Sequence, residues 1–479
     1  MKRISRVLCM FFSFLMLFSV MSCSRPEVES FDADFSDGSF SGLSGMELTI
    51  ACYFDSTNGA AVGDNVLGYN TGTNLADLAV ARIKQTEKDL DCKINNVYMA
   101  DYNNRFSYSI SVGQSLCDIS FVPSMSYYSW MKAGYLSPLS SVKEYIDYTD
   151  SAKWCTPMLL ECLCYKDDLY GLLPAAWPDL VYTSFGYPLV ANINLITTAG
   201  GDDPRELYEQ GVWNWDTFSE QIQKCTVIEG GETLRWGLGG HTPYLSEMIF
   251  RSNGTSLTRV DDKISLTCGY YVPESLKAIE YVRLLCSGDL SYTYHPDTSV
   301  LGTVDAFCNN KVCYSFNPVQ YIYGVFGEIS RVIENFAVLR TPVGPDVDAN
   351  YAGGVYHAMN YTISFPSNVK DIAASAIVAD RIFEPFEEYK TFEDIKAYMT
   401  HNNFFDSRDA DAFFDICFNS NYNYFYTAGS GARAIPENAP NMKKSPAELI
   451  ETYRNSMDQM FEEQIGDTIS GYLSVFGEE

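Results

Sequence analysis

The stretch from Leu169 to Phe218 limits this chain more than any other. It opens with Tyr170-Gly171-Leu172-Leu173-Pro174, a strand entry that ends in a proline, and continues into an apolar run, Leu180 to Leu189, rich in Tyr, Phe and Val. A Gly/Asp/Pro turn follows at Gly200 to Pro204, then Trp213 and Trp215 directly before Asp216. Asn214 or Asp216 offers a helix cap for the run from Thr217 to Lys224. The segment therefore ends one compact unit and opens another. With 479 residues, the chain is long enough for each unit to bury a core.

Strand and helix periods alternate upstream of that passage. Glu47 to Phe54 alternates apolar and polar residues, as a half-buried strand does. Asn74 to Leu90 has apolar residues at helical spacing, residues 92–100 give a second strand, Phe106 to Val112 a short helix, and Asp118 to Val122 a third strand. Such alternation argues for an α/β unit with parallel pairing. The loop from Pro123 to Trp130 leaves the carboxyl end of a strand, where open α/β sheets bind ligands. Downstream, Glu274 to Cys286 reads as an amphipathic helix, Asn368 to Ile382 as a packing helix, and Asp406 to Cys417 and Ser445 to Ile465 as C-terminal helices.

The N-terminus has a basic Met1-Lys2-Arg3-Ile4-Ser5-Arg6 and an apolar run from Val7 to Met21, short for a membrane helix and right for a signal peptide. It ends Val20-Met21-Ser22-Cys23, which resembles a lipobox; the alternative is an ordinary signal peptide with an incidental cysteine. Residues 1–22 are expected to be the signal peptide, with Cys23 lipidated and anchored to the outer face of a bacterial cell membrane. Residues 23–45, polar, acidic and rich in Ser and Gly, are expected to be a flexible tether. The formal net charge of −28, with no basic cluster, speaks against nucleic acid as a partner.

Reactive chemistry is sparse. His241, His295, His357 and His401 are scattered, and no HExxH, P-loop or GxSxG pattern occurs. Gly237 to Gly240 lacks the strand–GxGxxG–helix context of a nucleotide site. Asp167-Asp168 reads as a turn rather than a catalytic pair. The expectation is a protein without enzymatic activity, cofactor or metal. Of the fourteen cysteines, Cys117, Cys268, Cys308 and Cys313 sit in apolar contexts that suit buried free thiols, although an even number in an exported chain also allows disulfides.

Several passages, taken in order, resemble the family 1 extracellular solute-binding proteins, the ligand-capturing subunits of bacterial ABC importers. They are Val112-Gly113 with Cys117-Asp118-Ile119, then Ala133-Gly134-Tyr135-Leu136-Ser137-Pro138-Leu139, then Tyr170 to Pro174. They continue with Ala199-Gly200, Pro204, Gly211 and Trp213 to Phe218. Ala306-Phe307 with Asn310 to Ser315, and Phe336 to Pro345, complete the set, which spans nearly all of Met46 to Gly471. The usual tyrosine-asparagine pair after the crossover strand reads Val190-Ala191-Asn192 here, and Cys117 stands where a proline is usual.

The resemblance implies an α/β, two-lobe, periplasmic-binding-protein-like (Venus flytrap) fold of the class with three interlobe segments. Lobe one would take 46–172 plus 301–343, and lobe two 173–300 plus 344–479. It implies a monomeric solute-binding lipoprotein that captures a small molecule, most of all a sugar or oligosaccharide, and delivers it to the permease subunits of an ABC transporter. The implied cleft residues are Tyr53, Asp55, Ser124, Ser126, Trp177, Asp179, Asn317, Tyr321, Tyr356 and His357. Their types suit a neutral polyol, flat rings for its C–H face and Asp, Asn and Ser for its hydroxyls. Trp177, between Pro174 and Pro178, is the leading candidate to stack on the ligand; its alternative is a buried hinge tryptophan. An exported glycoside-acting enzyme or a surface adhesion lipoprotein would share the exported, anchored character.

Overall fold

The computed structural model describes residues 42–52, 65–260, 263–286, 293–294, 300–323, 327–356, 362–422 and 431–477. Cys23 with the leader, and Tyr53, Asp55 and His357, lie outside the described residues.

Two separate sheets organise the chain. The first begins with β1 (Glu47–Cys52), α1 (Asn74–Leu90) and β2 (Lys93–Tyr98). β1 and β2 pair in parallel from Glu47 opposite Lys93 to Cys52 opposite Tyr98, as a helical crossover requires. Helix α1 forms because the Thr73 side chain accepts the Ala76 amide at its start. Leu75, Ala76, Ala79 and Leu90 bury one face, and Asp91 ends the helix in the left-handed region. β3 (Ile119–Val122) joins β1 in parallel, followed by α2 (Ser124–Lys132).

The second sheet contains β4 (Leu189–Asn192), β5 (Glu232–Gly240), β6 (Thr293–Tyr294), β7 (Val312–Phe316) and β8 (Phe336–Leu339), in the order β6-β5-β7-β4-β8. Between β4 and β5 lies α3 (Trp215–Cys225), capped by the Asn214 side chain on the Thr217 amide, so Asn214 and not Asp216 is the cap. Trp213 and Trp215 are core: their indoles donate to the Arg340 carbonyl (2.9 Å) and to Ser252 Oγ (3.1 Å), and Trp215 stacks on Tyr281. Helices α4 (Thr242–Arg251) and α5 (Pro273–Cys286) follow β5 and pack on each other.

β9 (Gly354–Tyr356) pairs outside both sheets with Ser420–Tyr422. β10 (Thr362–Ser364) then returns to the first sheet, antiparallel to β3, giving the order β10-β3-β1-β2, and α6 (Ile372–Ile382) packs on α1. α7 (Phe392–Asn403) leads to α8 (Ser407–Phe418), which packs on β8 of the second sheet. The chain ends with α9 (Pro446–Met460), a π-turn at Phe461–Ile465 and α10 (Gly466–Phe476).

This topology corrects two sequence expectations. Residues 301–343 do not return to the first sheet: β7 pairs with β5 and β4, and β8 with β4. The block 344–479 is not wholly on the second side, because β10 and α6 belong with the first sheet. A short apolar strand carries no mark of which sheet it joins; only register against a distant partner decides it. Before the C-terminal helices, the described chain passes between the sheets between β3 and β4, between β8 and β10, and between α6 and α8.

Asp167 falls in the tight turn between Cys164–Tyr165 and Asp168–Leu169, with Lys166 at φ 55°, and the Asp168 carboxylate accepts from Ser140. The twelve described cysteines are free thiols, ten of them buried. Among the described residues no helix is long and apolar enough to cross a membrane.

Candidate functional site

The first sheet ends at Cys52, at Val122 and at Thr362, which faces Val122 across the antiparallel pair. Ser124 opens α2 directly after Pro123. Ser126 is buried, with its amide donating to the Pro123 carbonyl. The next residue, Tyr127, is buried with its hydroxyl 3.4 Å from Ser364 Oγ. The Tyr170-Gly171 pair runs against this wall, and Leu172 bridges to Ile363 of β10. Gly171 has a steric reason: a Cβ there would meet the Tyr127 hydroxyl and lie 2.8 Å from the Thr362 methyl.

Trp177 sits in the core. It is wholly buried, stacked on Tyr69 (centroids 5.8 Å apart) and covered by Phe383 (4.9 Å) and Phe386 (4.4 Å), and its indole donates to the Glu384 carbonyl (3.1 Å). These surroundings match the buried-tryptophan alternative. Neighbouring Asp179 sits at φ 63° and accepts from Asn403 Nδ2 (2.9 Å), which ties the first passage to the end of α7.

Loss of solvent pushes the Asp179 carboxyl up to about 6, against the smaller opposing effect of the Asn403 hydrogen bond. Tyr323, Tyr389 and Tyr398 all feel its charge. The raised value means the folded state binds a proton more readily than the unfolded chain. Stability from this group is therefore present below about pH 4 and is lost as pH rises toward about 6. Asp179→Asn should stabilise the protein by about 1–2 kcal/mol at pH 7.5, allowing for partial solvent access. Urea unfolding at pH 7.5 and 4.5 checks this: the gain should shrink at the lower pH, and equal gains would contradict it.

The carboxyl ends of β5 and β7 lie side by side, Gly240 opposite Phe316, and Phe316 faces Leu189 at the start of β4. His241, Asn317 and Tyr187 are thus brought to one end of the second sheet. The Asn317 amide donates to the Pro188 carbonyl (3.4 Å) and that of Val319 to Gly186 (3.2 Å). Gly186, at φ 54°, is where β9 meets this pair, since a Cβ there would run into the Val355 carbonyl. Asn317, Tyr321 in the following turn, and Tyr356 at the end of β9 therefore belong to converging segments.

Two features of this end stand out chemically. Tyr187 and Tyr244 stack with centroids 3.6 Å apart and planes within 8°, with the His241 ring 4.6 Å from Tyr244. Asn317 is 0% exposed, and neither its Nδ2 nor its Oδ1 has a hydrogen-bond partner. It is the one buried amide among the described residues with both ends unpaired. Such a group is costly unless something else pairs with it. Tyr187, His241 and Tyr244 were not singled out from sequence. The one available signal was Gly239-Gly240-His241 leaving a strand at its carboxyl end.

A separate pocket of about 200 Å³ lies among Arg205, Tyr208, Trp213, Arg340, Arg408 and Asp409. Its arginines are each paired with carboxylates, Arg205 with Asp409 (2.8 Å), Arg408 with Asp406 (2.8 Å) and Arg340 with Asp415, so it presents no free charge.

No protein-family model and no curated protein sequence matches the chain. Solved structures do. The cyclic α-maltosyl-1,6-maltose binding protein of Arthrobacter globiformis superposes with a TM-score of 0.61 at 13% identity, covering 87% of this chain and 99% of its own. The sugar-binding protein MalE of Xanthomonas citri gives 0.59 at 11% identity, covering 88% and 98%. An ABC substrate-binding protein of Listeria monocytogenes, solved in complex with cycloalternan, gives 0.56 at 15% identity, covering 87% and 99%. The two sheets, the repeated passages between them and these superpositions lead to one conclusion: the chain has the two-lobed, periplasmic-binding-protein-like fold of ABC-transporter substrate-binding proteins.

Proposed function

We propose that this protein is an extracellular solute-binding lipoprotein that captures a sugar or oligosaccharide and hands it to the permease subunits of an ABC transporter. Asn317 carries the reading. An amide buried at the carboxyl end of a central strand, with donor and acceptor both unpaired, suits a hydroxyl-rich ligand that accepts and donates at once. The Tyr187–Tyr244 stack and His241 supply aromatic surface at the same sheet end, the other half of saccharide recognition. Proteins of this fold bound to maltotriose, maltotetraose and cycloalternan support that ligand class. Anchoring through Cys23 rests on the leader sequence alone.

A thermal-shift screen of the chain without residues 1–22 tests the ligand class, since a binder of the native state raises the melting temperature by mass action. Linear or cyclic glucosaccharides should raise it, and peptides or polyamines should not. A rise with peptides alone removes the sugar. Replacing Cys23 with Ser should move the protein from the membrane fraction of cells to the soluble one; unchanged retention removes the anchor.

A further inference from the structure

Downstream of these passages, the last helix pair touches both sides of the molecule. On the second-sheet side, the Arg454 guanidinium of α9 lies 4.1 Å above the ring of Tyr271. The Tyr271 hydroxyl donates to Asp458 (2.8 Å) and lies 3.1 Å from the Arg454 carbonyl oxygen. Tyr271 lies two residues before α5, against which α9 packs. On the first-sheet side, α10 lies across the hairpin 164–169, whose Asp168 is held by Ser140 and whose continuation bridges β10. The Lys166 amide donates to the Asp467 carbonyl (2.7 Å), and Lys132 of α2 reaches the Glu463 carbonyl (3.3 Å).

Gly471 makes the contact close. A Cβ there would stand 2.7 Å from the Tyr165 amide nitrogen and 2.8 Å from the Lys166 carbonyl, both backbone atoms that cannot swing aside. The π-turn at Phe461–Ile465 adds one residue to the turn, with Met457 and Met460 buried before it and Thr468 and Ile469 buried after it. Where the two sides meet under this helix, Arg259 donates to Glu161 (3.1 Å) and lies 5.2 Å from the Tyr472 ring. Glu161 is fully buried and Arg259 nearly so. Motion that parted them would break an ion pair buried on both sides, an unfavourable change.

We infer that the C-terminal helix pair is a clasp: α9 grips the second lobe, α10 grips the first, and the Glu161–Arg259–Tyr472 junction beneath them holds the lobes at a fixed spacing along that edge. The two lobes then move only by rotation about the clasped edge, and the free protein samples a narrow range of openings. This rests on the two-lobed architecture and is independent of which solute is bound.

The test uses the full mature chain without ligand, with spin labels carried on non-natural residues at exposed Lys88 in α1 and Glu220 in α3, and reads the interlobe distance distribution. The parent chain should give one narrow peak. Gly471→Ala, which forces α10 off the hairpin backbone, and Tyr472→Ala, which removes the ring beside Arg259, should broaden the distribution at least twofold and extend it to longer distances. Tyr472→Ala removes a partly exposed ring and decides the matter if Gly471→Ala does not fold. A broad distribution in the parent, or folded variants indistinguishable from it, overturns the clasp. Because no solute is present, failure of the saccharide reading leaves this result standing, and the reverse also holds.

Discussion

Trp177→Ala should lower the unfolding free energy by about 3–5 kcal/mol, the range for deleting a large buried aromatic. The ring is enclosed by Tyr69, Phe383 and Phe386, which come from parts of the chain that cannot close over an alanine without moving the first passage or the end of α6. The substitution also removes one of the two donors to the Glu384 carbonyl, the other being Arg82 Nη1 (2.7 Å). Denaturant unfolding of the free protein measures this. A tryptophan that stacked on a ligand would behave in the opposite way, with little change in the stability of the free protein and a loss of affinity. A variant as stable as its parent would place the ring outside the core and reopen its role in binding.

Asn317→Leu should behave as the mirror image. Leucine is close to asparagine in shape and needs no hydrogen bonds, so the free protein should gain about 1 kcal/mol or more from losing an unpaired buried amide. The saccharide that raises the melting temperature of the parent should bind the variant about 10–100-fold more weakly, as expected for one lost hydrogen-bonding group. Stability gained with affinity lost marks a site that trades one for the other. If the variant loses stability and keeps its affinity, Asn317 is a structural residue. Melting curves and titration calorimetry on the same preparations separate the two.

Local pattern carried a large part of the fold. The alternation of β1, the period of α1 and the aspartate pair in the hairpin all describe what forms, because each depends on neighbours within a few residues. Gly171 of the Tyr-Gly strand entry was visible as a motif, and its cause, the Tyr127 hydroxyl, lies in the wall it passes. What sequence did not reveal depends on distant partners. β7, β8 and β10 are short buried strands that would suit either sheet, and only their registers against β4, β5 and β3 assign them. Trp177 between two prolines suggested exposure, yet its lid comes from residues some 200 positions later. The Tyr187–Tyr244 stack was hidden for the same reason. Of the expected cleft residues, Asn317 carries the clearest chemical signal, and no local pattern shows that its amide is left unpaired.

The central proposal, that a saccharide is held between the sheet end carrying Asn317 and the one carrying Ser126, is tested most directly by hydrogen–deuterium exchange with and without the saccharide that most raises the melting temperature. The account predicts slowed exchange at Tyr187, at His241 to Tyr244 and at Asn317 to Tyr321 on the second side, together with the amides of Ser124 and Ser126 on the first. Exchange around the Arg205–Asp409 pocket should be unchanged. Protection confined to that pocket, or to one sheet end alone, would contradict it.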